Sequence, residues 1–218
     1  MKKIKLGVIL LLVASLMLAV VGCGGGTTAS DSTQISRYEN TPIAITELLN
    51  GGVDAVVADR PVVLAYIENN PQSGLAAFGD DEFEMEYYGI AMRQEDSELH
   101  QLVNEGLAKV IEKGIYDQIQ TKYFGADNGF EVAESANTLG KTYLVAMDAA
   151  YAPFEWVDET TGEIVGFDAE LIKAIAAEMG FAVELQHFEW DGIIPSLLSK
   201  NADLIISAMT ITEERAQS

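Results

Sequence analysis

The sequence predicts an α/β fold, on the strength of three features. Strand-sized apolar runs alternate with helix-sized amphipathic runs along most of the chain. Two stretches, 45–59 (ITELLNGGVDAVVAD) and 194–208 (IPSLLSKNADLIISA), repeat one design: a short helix with a Leu-Leu pair, a turn, and an apolar strand. Both strands end in polar residues, and in doubly wound sheets ligands collect at the carboxyl ends of parallel strands. A sheet with a binding site at these two ends is therefore expected.

The first 22 residues have the order of a targeting segment, with three lysines, an apolar run and then small residues. The apolar run is short for a membrane span. The residues before Cys23 (VVG) resemble a bacterial lipobox. We therefore predict a signal peptide at 1–22, lipidation of Cys23, which is the only cysteine, and a flexible tether at 23–35. A free or buried thiol is the alternative for Cys23.

The elements that follow are predicted in order from apolar periodicity and from glycine, proline and capping signals. Before residue 126 the predicted elements are a helix from Thr41-Pro42 to Asn50, a strand Val53–Ala58, a helix from Pro61, a strand Tyr87–Met92, a helix from Ser97 to Gly114 and a helix Ile115–Phe124. Residues 126–140 are predicted to be a linker, because this polar stretch has no sustained period. After it come a strand Tyr143–Met147, a helix Ala169–Met179, a strand Phe181–Phe188, a helix Gly192–Ser199, a strand Ala202–Ser207, and a capping box at 210–213 that opens a further helix.

The charge balance excludes one class of partner. Removal of Lys2, Lys3 and Lys5 with the signal leaves 10 of the 13 basic residues against 34 acidic ones, a net charge of −24. Such a surface repels phosphate backbones and anionic lipid headgroups. Nucleic acid is therefore not expected as a partner, and membrane attachment is expected through the lipid.

The two strand ends carry opposite charges. Asp59 follows the first strand, while Ser207, Thr210 and Arg215 follow the second. A guanidinium pairs well with a carboxylate, and backbone N–H groups of Ala208 and Thr210 at a helix start favour an anion. A free amino acid carries the complementary ammonium and carboxylate. The alternatives are a helix-capping role for Asp59 and an incidental surface position for Arg215.

Several segments together resemble the polar amino-acid-binding members of the bacterial periplasmic solute-binding proteins, which serve ABC importers. The segments are DAAYAPFEW (148–156), GEIVGFDAELIKAIAAEMG (162–180), WDGIIPSLLSKNADLIISAMTITEERAQS (190–218), NGGVDAVVADRPVVLAYI (50–67), YYGIAM (87–92) and GIYDQIQTKYFG (114–125). The resemblance implies a periplasmic-binding-protein-like fold of type II with a ligand between two lobes.

The resemblance also implies roles for individual residues. Asp59 matches the position that holds the ligand ammonium, and Ser207, Ala208, Thr210 and Arg215 match those that hold its carboxylate. Tyr151 and Trp190 match aromatic positions that sandwich the ligand side chain, and Asp148 matches one near that side chain's polar tip. Packing in the core is the alternative for the two aromatic residues.

The order of these segments departs from that of the family, since those that normally close such a protein come first here. The expected organisation is one nearly complete lobe and a partial second lobe, as in a permuted and shortened chain or in the junction fragment of a tandem pair. The boundaries are a partial lobe two at 36–87, a C-terminal-type part of lobe one at 88–125, the linker at 126–140, and an N-terminal-type part of lobe one at 141–218.

The function expected from these observations is that of an extracytoplasmic, lipid-anchored protein that captures a polar or basic amino acid for an ABC transporter permease. No cofactor is expected, and no metal, because His100 and His187 have neither a Cys partner nor metal-ligand spacing. The chain is expected not to be an enzyme. Two alternatives stay open: a binding-incompetent fragment or structural domain, and a dehydratase-like enzyme using Asp148 or Glu155 as its acid or base.

Overall fold

The computed structural model describes residues 33–79 and 83–217. The predicted signal peptide, Cys23 and most of the tether lie outside the described residues. The described residues from Arg37 onward belong to one compact unit. Among the described residues, no helix has the length and apolarity needed to cross a bilayer.

The unit alternates helices and strands, so the predicted α/β class is confirmed. The helices are α1 (Thr41–Leu49), α2 (Arg60–Asn69), α3 (Ser97–Glu112), α4 (Ile115–Phe124), α5 (Phe167–Met179) and α6 (Trp190–Leu198). The strands are β1 (Ala91–Met92), β2 (Thr142–Met147), β3 (Ala150–Tyr151), β4 (Glu155–Val157), β5 (Ile164–Val165), β6 (Ala182–His187) and β7 (Leu204–Ile205).

The main sheet has the strand order β1-β7-β2-β6. β2 pairs in parallel with both β6 and β7, whereas β1 is antiparallel to β7. β2 is thus flanked on both sides, and Val145, Ala146 and Met147 are completely buried. A buried parallel strand needs apolar residues on both faces, which is why residues 143–147 form a continuous apolar run.

Helices cover both faces of this sheet. On one face, α5 packs against α3 and α4, with Ile172, Ile175 and Phe181 fully buried. On the other face, Ile193 and Leu197 of α6 pack against β2 and β7. The result is a three-layer unit with its carboxyl-end loops free to build a site.

The second sheet, β3-β4-β5, is a small antiparallel meander between β2 and α5. This sheet matters for the site because it places the acidic side chain of Glu155 inside the protein. Glu155, the first residue of β4, is completely buried. Asp168, at the start of α5, is also buried.

The prediction of a strand at Val53–Ala58 is wrong. These residues have no strand assignment, and Val57 is 80% exposed. A strand is defined by its pairing partner, and no described strand lies alongside this segment.

Other predicted elements are present but have different bounds. The predicted strands 87–92 and 202–207 reduce to β1 and β7, with Tyr88 adding an isolated bridge to Thr210. Helices α5 and α6 each begin two residues earlier than predicted. In place of a capped α-helix near the end there is a 3-10 turn at Arg215–Gln217, where the Thr212 hydroxyl accepts from the Arg215 N–H at 3.2 Å.

The predicted linker, residues 126–140, contains no helix or strand. It nevertheless packs along the unit, because Phe130 and Val132 contact the main core. The Leu139 N–H donates to the carbonyl of Gly180 at 2.8 Å. The boundaries between lobe segments remain predictions.

Candidate functional site

The candidate site lies at the carboxyl ends of the adjacent strands β2 and β7. Asp148 follows β2, and Ser207 lies two residues beyond the end of β7. The Asp148 N–H donates to Ser207 Oγ at 2.9 Å. This bond joins the two segments that carry six of the eight predicted ligand contacts, namely Asp148, Tyr151, Ser207, Ala208, Thr210 and Arg215.

Arg215 lies at this edge and contacts a second predicted site residue. Its guanidinium donates to the carbonyl oxygen of Thr210 at 2.7 Å, and Cζ lies 5.4 Å from the ring centroid of Trp190. The Arg215 and Trp190 side chains are both half-buried. The contact is of the cation–π type, so the arginine has an oriented fork rather than a free surface position.

Asp59 is bound by a tyrosine rather than by the helix that follows it. It occupies the N-cap position of α2, but its side chain makes no capping hydrogen bond. Its Oδ2 instead accepts from the Tyr88 hydroxyl at 2.6 Å, and the charge of the same carboxylate acts on the Tyr151 hydroxyl. Burial raises the pKa of both tyrosines, and the Asp59 carboxylate raises it further. The capping alternative is therefore wrong in this structure.

Tyr88 connects the two charged ends of the site. It forms an antiparallel bridge with Thr210, whose carbonyl in turn accepts from Arg215. The anion at 59 and the cation at 215 are thus linked through two intervening residues. Sequence reasoning assigned no role to Tyr88, and its only signal was its place in the YYGIAM strand.

Two of the predicted anion-binding donors point into the protein. Ser207 Oγ donates to Glu155 Oε1 at 2.6 Å, and the Ala208 N–H donates to Asp168 Oδ2 at 2.7 Å. Ser207 and Ala208 are both buried. Their predicted contact with a ligand stays a prediction that requires these internal bonds to be exchanged.

The remaining hydroxyl, that of Thr210, lies at the half-buried surface. Its Oγ1 donates to Glu86 Oε2 at 3.1 Å. Thr210 and Arg215 are therefore the members of the predicted anion site that a ligand reaches without displacing a buried bond.

Asp148 is a buried acid with an unused oxygen. The residue is 6% exposed, and its Oδ1 has no hydrogen-bond partner within the described part of the chain. Burial raises the pKa of this carboxyl, His187 lowers it, and Glu189 raises it again. An acceptor of this kind suits a cationic or amide group of a ligand.

Asp148, His187 and Glu189 are close enough to hold a metal ion, since one ligand atom from each lies within 4.8 Å of the others. However, His187 Nδ1 accepts from the Ala149 N–H at 3.0 Å, so its lone pair is engaged. His187 Nε2 lies 3.3 Å from Glu189 Oε1. The main contact of the His187 ring is therefore structural, since it accepts a hydrogen bond from the backbone of the 148–150 loop.

The two predicted aromatic contacts differ in their environment. The Tyr151 ring is stacked on Phe154 at 6.1 Å with an interplanar angle of 20°, so one of its faces belongs to the core. Trp190 begins α6 and has Arg215 over its ring. The structure does not stack these two rings on each other.

Comparison with known proteins finds a family profile that matches the part of the chain carrying most of the site. Residues 143–218 match the profile of the bacterial extracellular solute-binding proteins, family 3. A probable histidine-binding protein of Neisseria gonorrhoeae is 43% identical over 100 residues, covering 46% of this chain and 37% of that protein. The arginine-binding extracellular protein ArtP of Bacillus subtilis is 40% identical over 84 residues, covering 38% of this chain and 32% of that protein.

Among solved structures, the arginine-bound form of domain 1 from TmArgBP is 47% identical. The match covers 39% of this chain and 67% of that domain, with a TM-score of 0.35. The chain spans about a third of the length of the curated relatives named above. The profile match includes every predicted ligand contact except Asp59.

Proposed function

Because residues 143–218 match the profile of the bacterial extracellular solute-binding proteins, family 3, we propose that this chain captures a polar or basic amino acid outside the cytoplasm. It would present that amino acid to an ABC transporter permease. Cys23, which lies outside the described residues, would carry the lipid that anchors it to the membrane.

The observation that carries the proposal is the link between opposite charges at one edge of the sheet. Asp59 and Arg215 are joined through the Tyr88–Thr210 bridge. A zwitterion bound there would place its ammonium towards the carboxylate and its carboxylate towards the guanidinium. Each charge that leaves water needs such a partner, because an unpaired buried charge is costly.

A basic side chain on the ligand is favoured by the acids nearby. The unpartnered Oδ1 of Asp148 and the carboxylate of Glu189 lie on either side of His187. Two relatives whose names specify a ligand are called histidine-binding and arginine-binding. An acidic ligand side chain would be repelled by the same carboxylates.

The test is isothermal titration of the lipid-free chain with the twenty amino acids. Saturable heat with arginine, lysine, histidine or glutamine is expected. Replacement of Arg215 by alanine removes a charge-assisted contact, so affinity should fall by at least about tenfold, equivalent to ~1.4 kcal/mol. Arg37→Ala, at an exposed position, is the matched control and should leave affinity unchanged.

A second candidate is a fragment that binds only with a partner, and the unpaired segment 53–58 favours it. Silence across the amino-acid panel, with a folded chain by circular dichroism, would select this candidate. The enzymatic alternative receives less support, since Glu155, one of its two candidate acids, is completely buried. A group with no exposed surface does not touch a substrate in this arrangement.

The lipid anchor has its own test. Cys23→Ser should move the chain from the membrane fraction to the soluble fraction and abolish incorporation of a labelled fatty acid. Unchanged membrane attachment in this variant would contradict lipidation at Cys23.

A further inference from the structure

Two buried carboxyl groups lie behind the anion side of the candidate site. Glu155 is completely buried, and Asp168 is 5% exposed. One comes from β4 and the other from the first turn of α5, and they accept hydrogen bonds from the consecutive residues Ser207 and Ala208, which holds the two carboxyl groups next to each other. Two ionised carboxylates are acceptors only, so a hydrogen bond between them requires a proton.

The hydrogen bonds around the pair leave one oxygen for that proton. Glu155 Oε1 accepts from Ser207 Oγ, and Asp168 Oδ2 accepts from the Ala208 N–H. Glu155 Oε2 has no N–H or O–H donor within the described ranges. It is the natural position for an oxygen that shares a proton with Asp168.

We infer that Glu155 and Asp168 share one proton at neutral pH, and that this proton holds the Ser207-Ala208 elbow in place. The two residues are positioning residues, because they act on the site through Ser207 and Ala208. The elbow leads directly to Thr210 and, through the Thr210 carbonyl, to Arg215.

The elbow has a backbone conformation that needs support. Ala208 has a φ of +41°, which is uncommon for a residue with a side chain. Its N–H is directed to Asp168, and the preceding Ser207 hydroxyl is directed to Glu155. Ser207 Oγ also accepts from the Asp148 N–H, so the same pair supports both loops of the site.

The balance of donors and burial favours one negative charge on the pair. The Ser207 hydroxyl and the Ala208 N–H both donate to it, which stabilises one carboxylate. A second negative charge would be in contact with the first and away from water, so the two would repel each other strongly. One proton is therefore retained.

Within the described residues, the titratable groups that act most strongly on the pair are an acid and two tyrosines. Asp148 acts on Glu155, and the hydroxyls of Tyr88 and Tyr116 lie near Asp168. Burial raises the pKa of the Glu155 carboxyl, and the charge of Asp168 raises it further. Burial also raises the pKa of Asp168, against the lowering effect of the Ala208 N–H.

The first experiment counts charges. Net charge of the full chain and of Glu155→Gln is compared at pH 7 by charge-ladder capillary electrophoresis. The pair carries one negative charge in the unaltered chain, and in Glu155→Gln the remaining Asp168 carboxylate also carries one. The net charge should therefore not change. Glu163→Gln, at an exposed position of the same region, should remove one negative charge. Loss of one full negative charge in Glu155→Gln would overturn the inference.

The unaltered chain provides a second measurement that does not depend on the variant folding. Its infrared spectrum at pH 7 should show a protonated-carboxyl C=O band that resists hydrogen exchange with solvent. Absence of that band would show that both carboxyls are ionised and would refute the shared proton.

The pH profile of stability separates a shared proton from a purely structural contact. Above the ordinary carboxyl pKa of about 4, the unfolded chain loses a proton that the folded chain keeps. Between that pH and the raised pKa of the buried pair, the folding equilibrium constant of the unaltered chain should fall by an additional factor of ten per pH unit, relative to that of Glu155→Gln. Equal slopes in the two proteins would contradict the inference.

The effect on ligand affinity rests on the proposed function. Alkaline loss of amino-acid affinity should be present in the unaltered chain and absent in Glu155→Gln. If no amino acid binds at all, the charge and infrared measurements still decide whether the proton is shared.

Discussion

At the scale of single residues, the buried carboxylate of Asp148 lowers the stability of the folded chain but is available to a ligand. Its Oδ1 is buried and has no hydrogen-bond partner among the residues that the structure describes, while its backbone N–H donates to Ser207. A buried acceptor without a donor costs about 1–3 kcal/mol. A ligand cation that supplies the donor would recover that cost.

The change Asp148→Asn should therefore have opposite effects on stability and on binding. Loss of the desolvated charge should raise the free energy of unfolding by roughly 1 kcal/mol without ligand. Affinity for a basic amino acid should fall at least about tenfold, because the anionic partner is gone. Thermal unfolding and titration calorimetry measure the two effects.

The pH dependence follows from the direction of the pKa shift. Since the pKa of Asp148 is raised in the folded chain, its contribution to stability decreases as pH rises from the ordinary value to the raised one. Asp148→Asn should remove this decrease, whereas Asp54→Asn, at an exposed position, should not. A variant that is both less stable and equally tight in binding would contradict the assigned role.

Sequence reasoning at this scale identified residues but not all of their partners. Ser207 and Arg215 do follow β7, as the strand-end argument predicts, whereas Asp148 and Trp190, which the family resemblance supplied, follow β2 and β6. Glu155 and Asp168 escaped that argument, because only the meander between them brings together carboxyls thirteen residues apart. The signal that was available is an acid inside each of two short, otherwise apolar runs, APFEW and GFDA.

At the scale of elements, the two copies of the repeated design end differently. Residues 194–208 give α6 and β7, and β7 is paired on both sides. Residues 45–59 give α1, but the apolar run at 53–58 stays unpaired. Apolar periodicity locates a segment that is able to form a strand, whereas the strand itself depends on neighbours that a local pattern does not contain.

The packing between α3 and α5 provides a prediction with a matched control. A Cβ added at Gly106 would lie 2.7 Å from Ile175 Cγ2 and 2.8 Å from Met179 Cγ. Gly106→Ala should therefore destabilise the chain by about 1–3 kcal/mol through overpacking. Denaturant unfolding, read as a shift in midpoint at constant slope, measures the change.

Gly192 in α6 is the control, because nothing lies within 4 Å of a Cβ added there. Gly192→Ala should stabilise the chain by about 0.5–1 kcal/mol through helix propensity. Stabilisation by both substitutions would show that α3 and α5 are further apart than the structure has them.

At the scale of the whole molecule, stability is distributed unevenly between the sheet and the described residues of 50–79 and 83–88. Val145, Ala146 and Met147 are completely buried in a strand paired on both sides. In the earlier region, Val57, Phe78 and Met85 are each at least 80% exposed. Exposed apolar side chains and unpaired backbone contribute little to folding, so this region should open without unfolding of the core.

Hydrogen exchange followed by mass spectrometry tests this distribution. Peptides from 53–58 should exchange almost at the rate of an unfolded chain, while those from 142–147 should be protected with a free energy close to that of global unfolding. α1, which has a side-chain cap from Asn40 and buried Ala44 and Ile45, should be intermediate. Protection of 53–58 equal to that of β2 would mean that this segment has found a strand partner, and the supply of that partner by a second chain would appear as concentration-dependent protection.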